Sequence, residues 1–246
     1  MRKRITERTL MVVRKQQITP HMLRVTLGGQ DMAGFPEGQE SANCKLFLPS
    51  LEGDPVVRTY TVRAFDSERM EVDIDFVLHQ EHGPASNWAI AAQPGDSLGF
   101  RGPSGPKWIN FKADWFFLAG DMSALPAISA NIEHLPRDAQ GYAVMEVVDD
   151  QDRQTLNFPP GLEVDWVQNS DPSSPNSLLF DRVVSKPWLP GRSAVWVAGE
   201  TGTTQNLRRY FKQERKVERG DIYASGYWQI GLTEDVHQQV KSQGAG

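Results

Sequence analysis

The sequence predicts two folds in succession: an antiparallel all-β half, barrel or sandwich, and then an α/β half built on a parallel sheet. Three observations predict it. Up to about Phe111 the chain reads as short apolar strands separated by turn residues, with no long helical periodicity. From Asp114 onward apolar strands alternate with segments of helical period. At 246 residues the chain also exceeds one typical domain. The predicted boundary falls at residues 109 to 114, giving domains 1–111 and 112–246.

In the first half, strands are expected in "TLMVV", "MLRVTL", "CKLFL", "RTYTV" and "MEVDIDFVL", where apolar residues alternate with polar ones. The stretches "GGQDMAGFPEG" and "FDSER" supply turns, and "AAQPGDSLGFRGPSG" a turn at Pro94–Asp96 with a strand leaving it. In the second half, "WFFLAG" precedes a helix in "SALPAISANIEHL", and "YAVMEVV" and "LEVDWV" are strands before the helix "SLLFDRVVSK". "AVWVAG" then leads to "TQNLRRYFKQER", "DIYASGYW" is a last strand, and "TEDVHQQVK" a final helix. Ser123 is expected to cap the first of these helices, with Pro126 tolerated in its first turn.

A net charge of −5 argues against nucleic-acid binding, which needs a basic surface, so an anionic ligand must be met by local cations. Cys44 is the sole cysteine, which excludes an intramolecular disulfide and a cluster held by four cysteines of this chain. Its expected place is buried in a strand. The five histidines, His21, His79, His82, His134 and His237, have no metal-ligand spacing. No stretch approaches the length of a membrane span or a signal peptide, so a cytoplasmic protein is expected.

Two stretches carry chemistry. In "VRTYTVRAFD", residues two apart share a face, so Arg58 and Tyr60 project together with Thr61 beside them. A flat heteroaromatic ring with a phosphate tail would use the Tyr60 face, the Arg58 charge and the Thr61 hydroxyl; ordinary cross-strand pairing is the alternative. In "FVLHQEHGPASNWA" a strand ends at His79 and a helix opens at Pro84, Ala85 and Ser86 before Trp88. Free amides at such a start form an anion site.

With "RTYTVR", "HGPASNWA", "PGDSLGFRGPSG", "LAGDMSALPAI", "WVAGE" and "GYWQIG" in this order, nearly the whole chain resembles the siderophore-interacting protein family. These are flavin-dependent ferric-siderophore reductases of the ferredoxin-reductase-like superfamily. The resemblance implies a Greek-key FAD-binding β-barrel followed by a Rossmann-like domain for NADH or NADPH. It implies that Tyr60 stacks on the isoalloxazine, Arg58 meets the pyrophosphate and Thr61 bonds the flavin edge. His79, Ala85, Ser86 and Trp88 then belong to the pyrophosphate and adenine segment, and Asp121 and Ser123 to the cofactor-contacting turn of the second domain. Lys45 matches the family's barrel lysine and, with Arg101 and Lys107, is a candidate contact for an anionic ferric siderophore.

Electrons would come from NAD(P)H or ferredoxin. A flavin accepts a pair and passes electrons singly to iron(III), so no iron ligand and no acid–base residue of this chain is required. "GYWQIG" has Gln229 where the family tends to carry arginine. Tyr227 and Trp228 are expected either to cover the flavin mouth or to form a buried aromatic pair. Asp149, Asp150 and Asp152 would repel a 2′-phosphate if near the ribose; a solvated loop is the other expectation. The competing functions are a less selective NAD(P)H:flavin or quinone oxidoreductase and a non-catalytic carrier.

Overall fold

The structure, a computed structural model, describes residues 6–50, 53–78, 83–232 and 236. The chain divides into two compact units, Met1–Lys107 and Trp108–Gly246. The first holds a seven-stranded antiparallel, barrel-like sheet in the order β4-β3-β7-β1-β2-β6-β5. Its strands are β1 (Glu7–Thr19), β2 (Met22–Gly28), β3 (Asn43–Leu48), β4 (Val56–Thr61), β5 (Ala64–Asp66), β6 (Glu71–Val77) and β7 (Ser97–Arg101). The helix α1 (Pro84–Ala91) lies between β6 and β7 in sequence. Alternation decides what is buried: Cys44, Leu46 and Leu48 of β3 join Leu10, Val25, Ile74, Phe76 and Phe100 in one core, while Asn43, Lys45 and Phe47 stay half-buried.

The second unit is a five-stranded, all-parallel sheet in the order β10-β9-β8-β11-β12. These are β8 (Trp115–Gly120), β9 (Gln140–Val147), β10 (Gly161–Gln168), β11 (Ser193–Glu200) and β12 (Ile222–Trp228). Helices α2 (Leu125–Glu133), α3 (Leu178–Val184) and α4 (Thr201–Arg209) make the crossovers. β8 and β11 are buried on both faces, as their unbroken apolar runs require. The strand order reverses direction between β8 and β11, and at such a switch point the carboxyl ends leave a crevice.

Sequence and structure differ in four places. β1 continues through the polar "RKQQIT", because bulged pairing with β2 as far as Thr19 opposite Met22 extends it. β5 is three residues long and is held by pairing with β6. Ser123 does not cap α2: Ala124 stands at the cap, Pro126 is in the first turn as expected, and the Ser123 hydroxyl bonds Asp121 Oδ1 at 2.5 Å. α4 relaxes into a π turn at Tyr210–Glu214. The expected final helix, apart from Val236, and His79 lie outside the described residues. Among the described residues no helix is long and apolar enough to cross a membrane.

Candidate functional site

Opposed residues of an antiparallel pair share a face. Tyr60 faces Cys44 and Arg58 faces Leu46, so both lie on the core side of β4, where they are half-buried. The Tyr60 ring centroid is 4.4 Å from that of Phe76, and Phe76 is 5.7 Å from Trp88 of α1. Through Phe76 of β6, the two stretches singled out in the sequence meet.

The start of α1 has no side-chain cap and no acidic residue in its first turn. Gly83 stands at the cap in extended conformation with Pro84 next, so the amides of Ala85 and Ser86 lack intrahelical acceptors. A Cβ on Gly83 would meet nothing within 4 Å. The Ser86 hydroxyl donates to the Val77 carbonyl at 3.0 Å, anchoring the helix start to the end of β6. An aromatic platform, a cation and helix-start amides with no acceptor among the described residues are the donor set that a flavin dinucleotide needs, so these residues fit FAD.

Thr61 is buried, pairs with Asn43 and alternates onto the face of Thr59, away from Tyr60; only its backbone adjoins that ring's strand position. Lys45 pairs with both Thr59 and Arg101 on this opposite face, and its Nζ donates to Thr59 Oγ1. Arg101 lies over the Phe47 ring and bridges to Glu7 at 3.3 Å. Lys45 and Arg101 are thus brought together, but on the side away from Arg58 and Tyr60. The Lys107 carbonyl accepts from Ser41 Oγ. Burial pushes the Cys44 thiol far up, which makes it unreactive.

In the second unit, Asp121 follows β8 and commits both oxygens. Oδ1 accepts from the Ser123 amide and hydroxyl, and Oδ2 from the Glu200 amide at 2.7 Å and Trp228 Nε1 at 2.8 Å. Burial raises its pKa against the pull of those bonds. Gly199 permits this knot: its φ is +133°, and a Cβ there would stand 2.4 Å from Asp121 Oδ2. Trp228 is therefore tied to Asp121, and Tyr227 is the extra residue at a bulge of β12 against β11, with no ring contact to Trp228 among the described residues. Glu200 caps α4, its carboxylate accepting from the Thr203 amide. Asp149 and Asp152 form a capping box and Asp150 pairs with Arg153, so this acidic run is a self-capped turn.

A cavity of about 550 Å³ opens at the carboxyl edge, lined among others by Asp121, Glu146, Asn169, Glu200, Trp228 and Gln229. Sequence reasoning missed Glu146, whose signal was one carboxylate near the end of an otherwise apolar strand. Its Oε1 accepts from Asn169 at 2.9 Å. Burial, with the charges of Asp121 and Glu200 adding, pushes it up to about 7 despite that bond.

An antiparallel barrel-like unit with a flavin-type donor set, followed by a parallel unit with a switch-point crevice, defines a flavin-dependent oxidoreductase of ferredoxin-reductase-like fold. Residues 11–55 and 49–107 match the siderophore-interacting FAD-binding domain, and residues 113–231 match the siderophore-interacting protein model. The chain is 37% identical to the ferric vibriobactin reductase ViuB of Vibrio cholerae, over 97% of this chain and 95% of that one. A siderophore utilization protein from T. fusca is 36% identical, covers 94% of this chain and 95% of its own, and superposes with a TM-score of 0.85. The siderophore-interacting protein SipS from Aeromonas hydrophila is 33% identical over 96% and 97% of the two chains, with a TM-score of 0.86. More distant ferredoxin reductases share the fold alone. The chain belongs to the siderophore-interacting protein family, and its first unit is an FAD-binding domain of that family.

Proposed function

We propose that this protein reduces ferric siderophores in the cytoplasm with FAD as cofactor, taking electrons from NAD(P)H, with ferredoxin as the alternative donor. The observation that carries the reading is the ring contact Tyr60–Phe76–Trp88, which joins an uncapped helix start to the strand of Arg58 inside a matched FAD-binding domain. Bound FAD converts a two-electron donor into a supplier of single electrons, so one hydride reduces two ferric ions. Tyr60 presents its ring to the flavin, Arg58 and the amides of Ala85 and Ser86 meet the diphosphate, and Thr61 serves the ring edge. His79 and Trp88 belong to the same segment, and Asp121 and Ser123 shape the donor's turn. Lys45 and Arg101, with Lys107 nearby in sequence, dock the anionic chelate. β3 is next to β4, and adjacent strands lie about 5 Å apart, so a chelate held there is on the neighbouring strand but across the sheet from the Tyr60 ring.

A less selective flavin or quinone reductase is the second reading, favoured by the placement of Lys45 on the face away from Tyr60. FAD-loaded protein, donor and ferric siderophore mixed anaerobically with an iron(II) trap should yield trapped iron; no trapping with any donor, ferredoxin included, would reject the function. Lys45→Ala should lower kcat/KM for anionic ferric chelates about tenfold and leave quinones unaffected. Equal effects on both acceptors would support the second reading.

A further inference from the structure

We propose that the cavity at the carboxyl edge of the parallel sheet selects a donor whose adenosine ribose has free hydroxyls, with Glu146 as their acceptor, so that the chain uses NADH and rejects NADPH. This rests on the reading that a reduced nicotinamide is the donor.

Position comes first. The cavity sits outside the carboxyl ends of β8, β9 and β11, where an open α/β sheet receives its ligand. Glu146 is the penultimate residue of β9, which follows β8 in sequence and neighbours it in the sheet. In dinucleotide folds an acidic side chain reached along the second strand takes the ribose 2′-hydroxyl, whereas a 2′-phosphate needs an arginine. Glu146 Oε1 is held by Asn169, and no protein donor among the described residues claims Oε2.

Charge decides between the two nucleotides. Asp121, Glu146 and Glu200 line the cavity, its other polar lining is neutral, and no Lys, Arg or His is present among the described residues that line it. Two helix starts border the cavity: that of α4 has its Thr203 amide bonded to Glu200 at 2.7 Å, and that of α3, a helix of seven residues, has its Leu178 amide bonded to Asn176 at 3.1 Å, and neither brings a cation. A ribose hydroxyl donates to a carboxylate; a 2′-phosphate adds nearly two negative charges with no counter-cation. The diphosphate is common to both nucleotides and does not discriminate. A metal ion is a poor rival occupant, because among the described residues no three acidic, His or Cys side chains are placed to hold one.

The test uses FAD-loaded protein and two redox-inert probes, ADP-ribose and 2′-phospho-ADP-ribose, titrated by calorimetry. ADP-ribose should bind at least tenfold more tightly, and NADH should exceed NADPH in kcat/KM by a similar factor. Glu146→Gln, which keeps an acceptor for Asn169, should narrow the binding ratio at least fivefold without lowering the Tm. Equal binding of the probes, tighter binding of the phosphorylated one, binding of neither, or a ratio unmoved by Glu146→Gln would overturn the proposal. In parallel, dithionite-reduced protein is mixed with ferric siderophore. Iron(II) released there alongside failed nucleotide selectivity rejects only the donor assignment, and the reverse pattern rejects only the reductase reading.

Discussion

At the scale of single residues, the parallel unit stores its tension in two carboxylates. Glu146 ionises near 7 in the folded chain, raised from an ordinary 4.5 mainly by burial. Between those values the folded state holds a proton that the unfolded chain has lost, so stability from this group is greatest below the ordinary value and is lost as pH rises through 7. The shift caps the cost at roughly 3 kcal/mol above that pH, at about 1.4 kcal/mol per unit. Glu146→Gln should therefore raise the Tm at pH 8, by an amount equivalent to about 1–3 kcal/mol, and leave it nearly unchanged at pH 5. A scan at the two pH values decides it, and an equal gain at both would contradict the assignment. Asp121 is raised by burial as well, but donors surround both its oxygens. Asp121→Asn must turn an amide NH₂ toward either Ser123 or the Glu200–Trp228 pair, and should cost about 2–4 kcal/mol in denaturant unfolding. Trp228→Phe, which removes one donor, should cost less.

At the scale of elements, α1 is a helix left deliberately incomplete for local stability, since nothing in its first turn neutralises its amides. Gly83→Asp fits sterically: the backbone φ is −73° and the Cβ would stand in open space. The new carboxylate should stabilise the FAD-free protein by a few tenths to about 1 kcal/mol through capping and the helix dipole. It should also weaken FAD binding at least tenfold, as read from flavin fluorescence on titration. FAD affinity unchanged in the stabilised variant would mean that α1 has no anion role. Much of this layout was legible in sequence, because strand alternation and the β/α rhythm are local signals: β3, β4, β6 and every strand of the parallel sheet stand where the pattern put them. What escaped depends on pairing. β5 exists only against β6, and the polar end of β1 only against β2. The faces of β3 and β4 needed their register, which separates Lys45 from Tyr60. Glu146 escaped because its meaning comes from Asn169, Asp121 and Glu200, none of which is its neighbour in the chain.

At the scale of the whole molecule, an acidic chain proposed to act on anionic chelates sets two electrostatic effects against each other. The net charge of −5 repels an anion at long range, while the neighbouring Lys45 and Arg101 attract it at short range. Salt separates them, because the screening length is about 10 Å at 0.1 M and about 30 Å at 0.01 M, so added salt removes the distant repulsion first. A docking pair in direct contact with the chelate is weakened as well, and for such contacts local attraction outweighs a diffuse net charge. For wild-type protein, kcat/KM for an anionic ferric chelate should fall by roughly twofold to fivefold between 0.02 and 0.2 M salt. With Lys45→Ala the short-range attraction is halved and the diffuse repulsion grows, so the dependence should flatten or reverse. An uncharged quinone, measured with the same protein, should show no salt slope in either form. If wild type and Lys45→Ala show the same slope toward the anionic chelate, docking does not use this face of the barrel-like sheet, and the cation that receives the siderophore lies elsewhere in the chain.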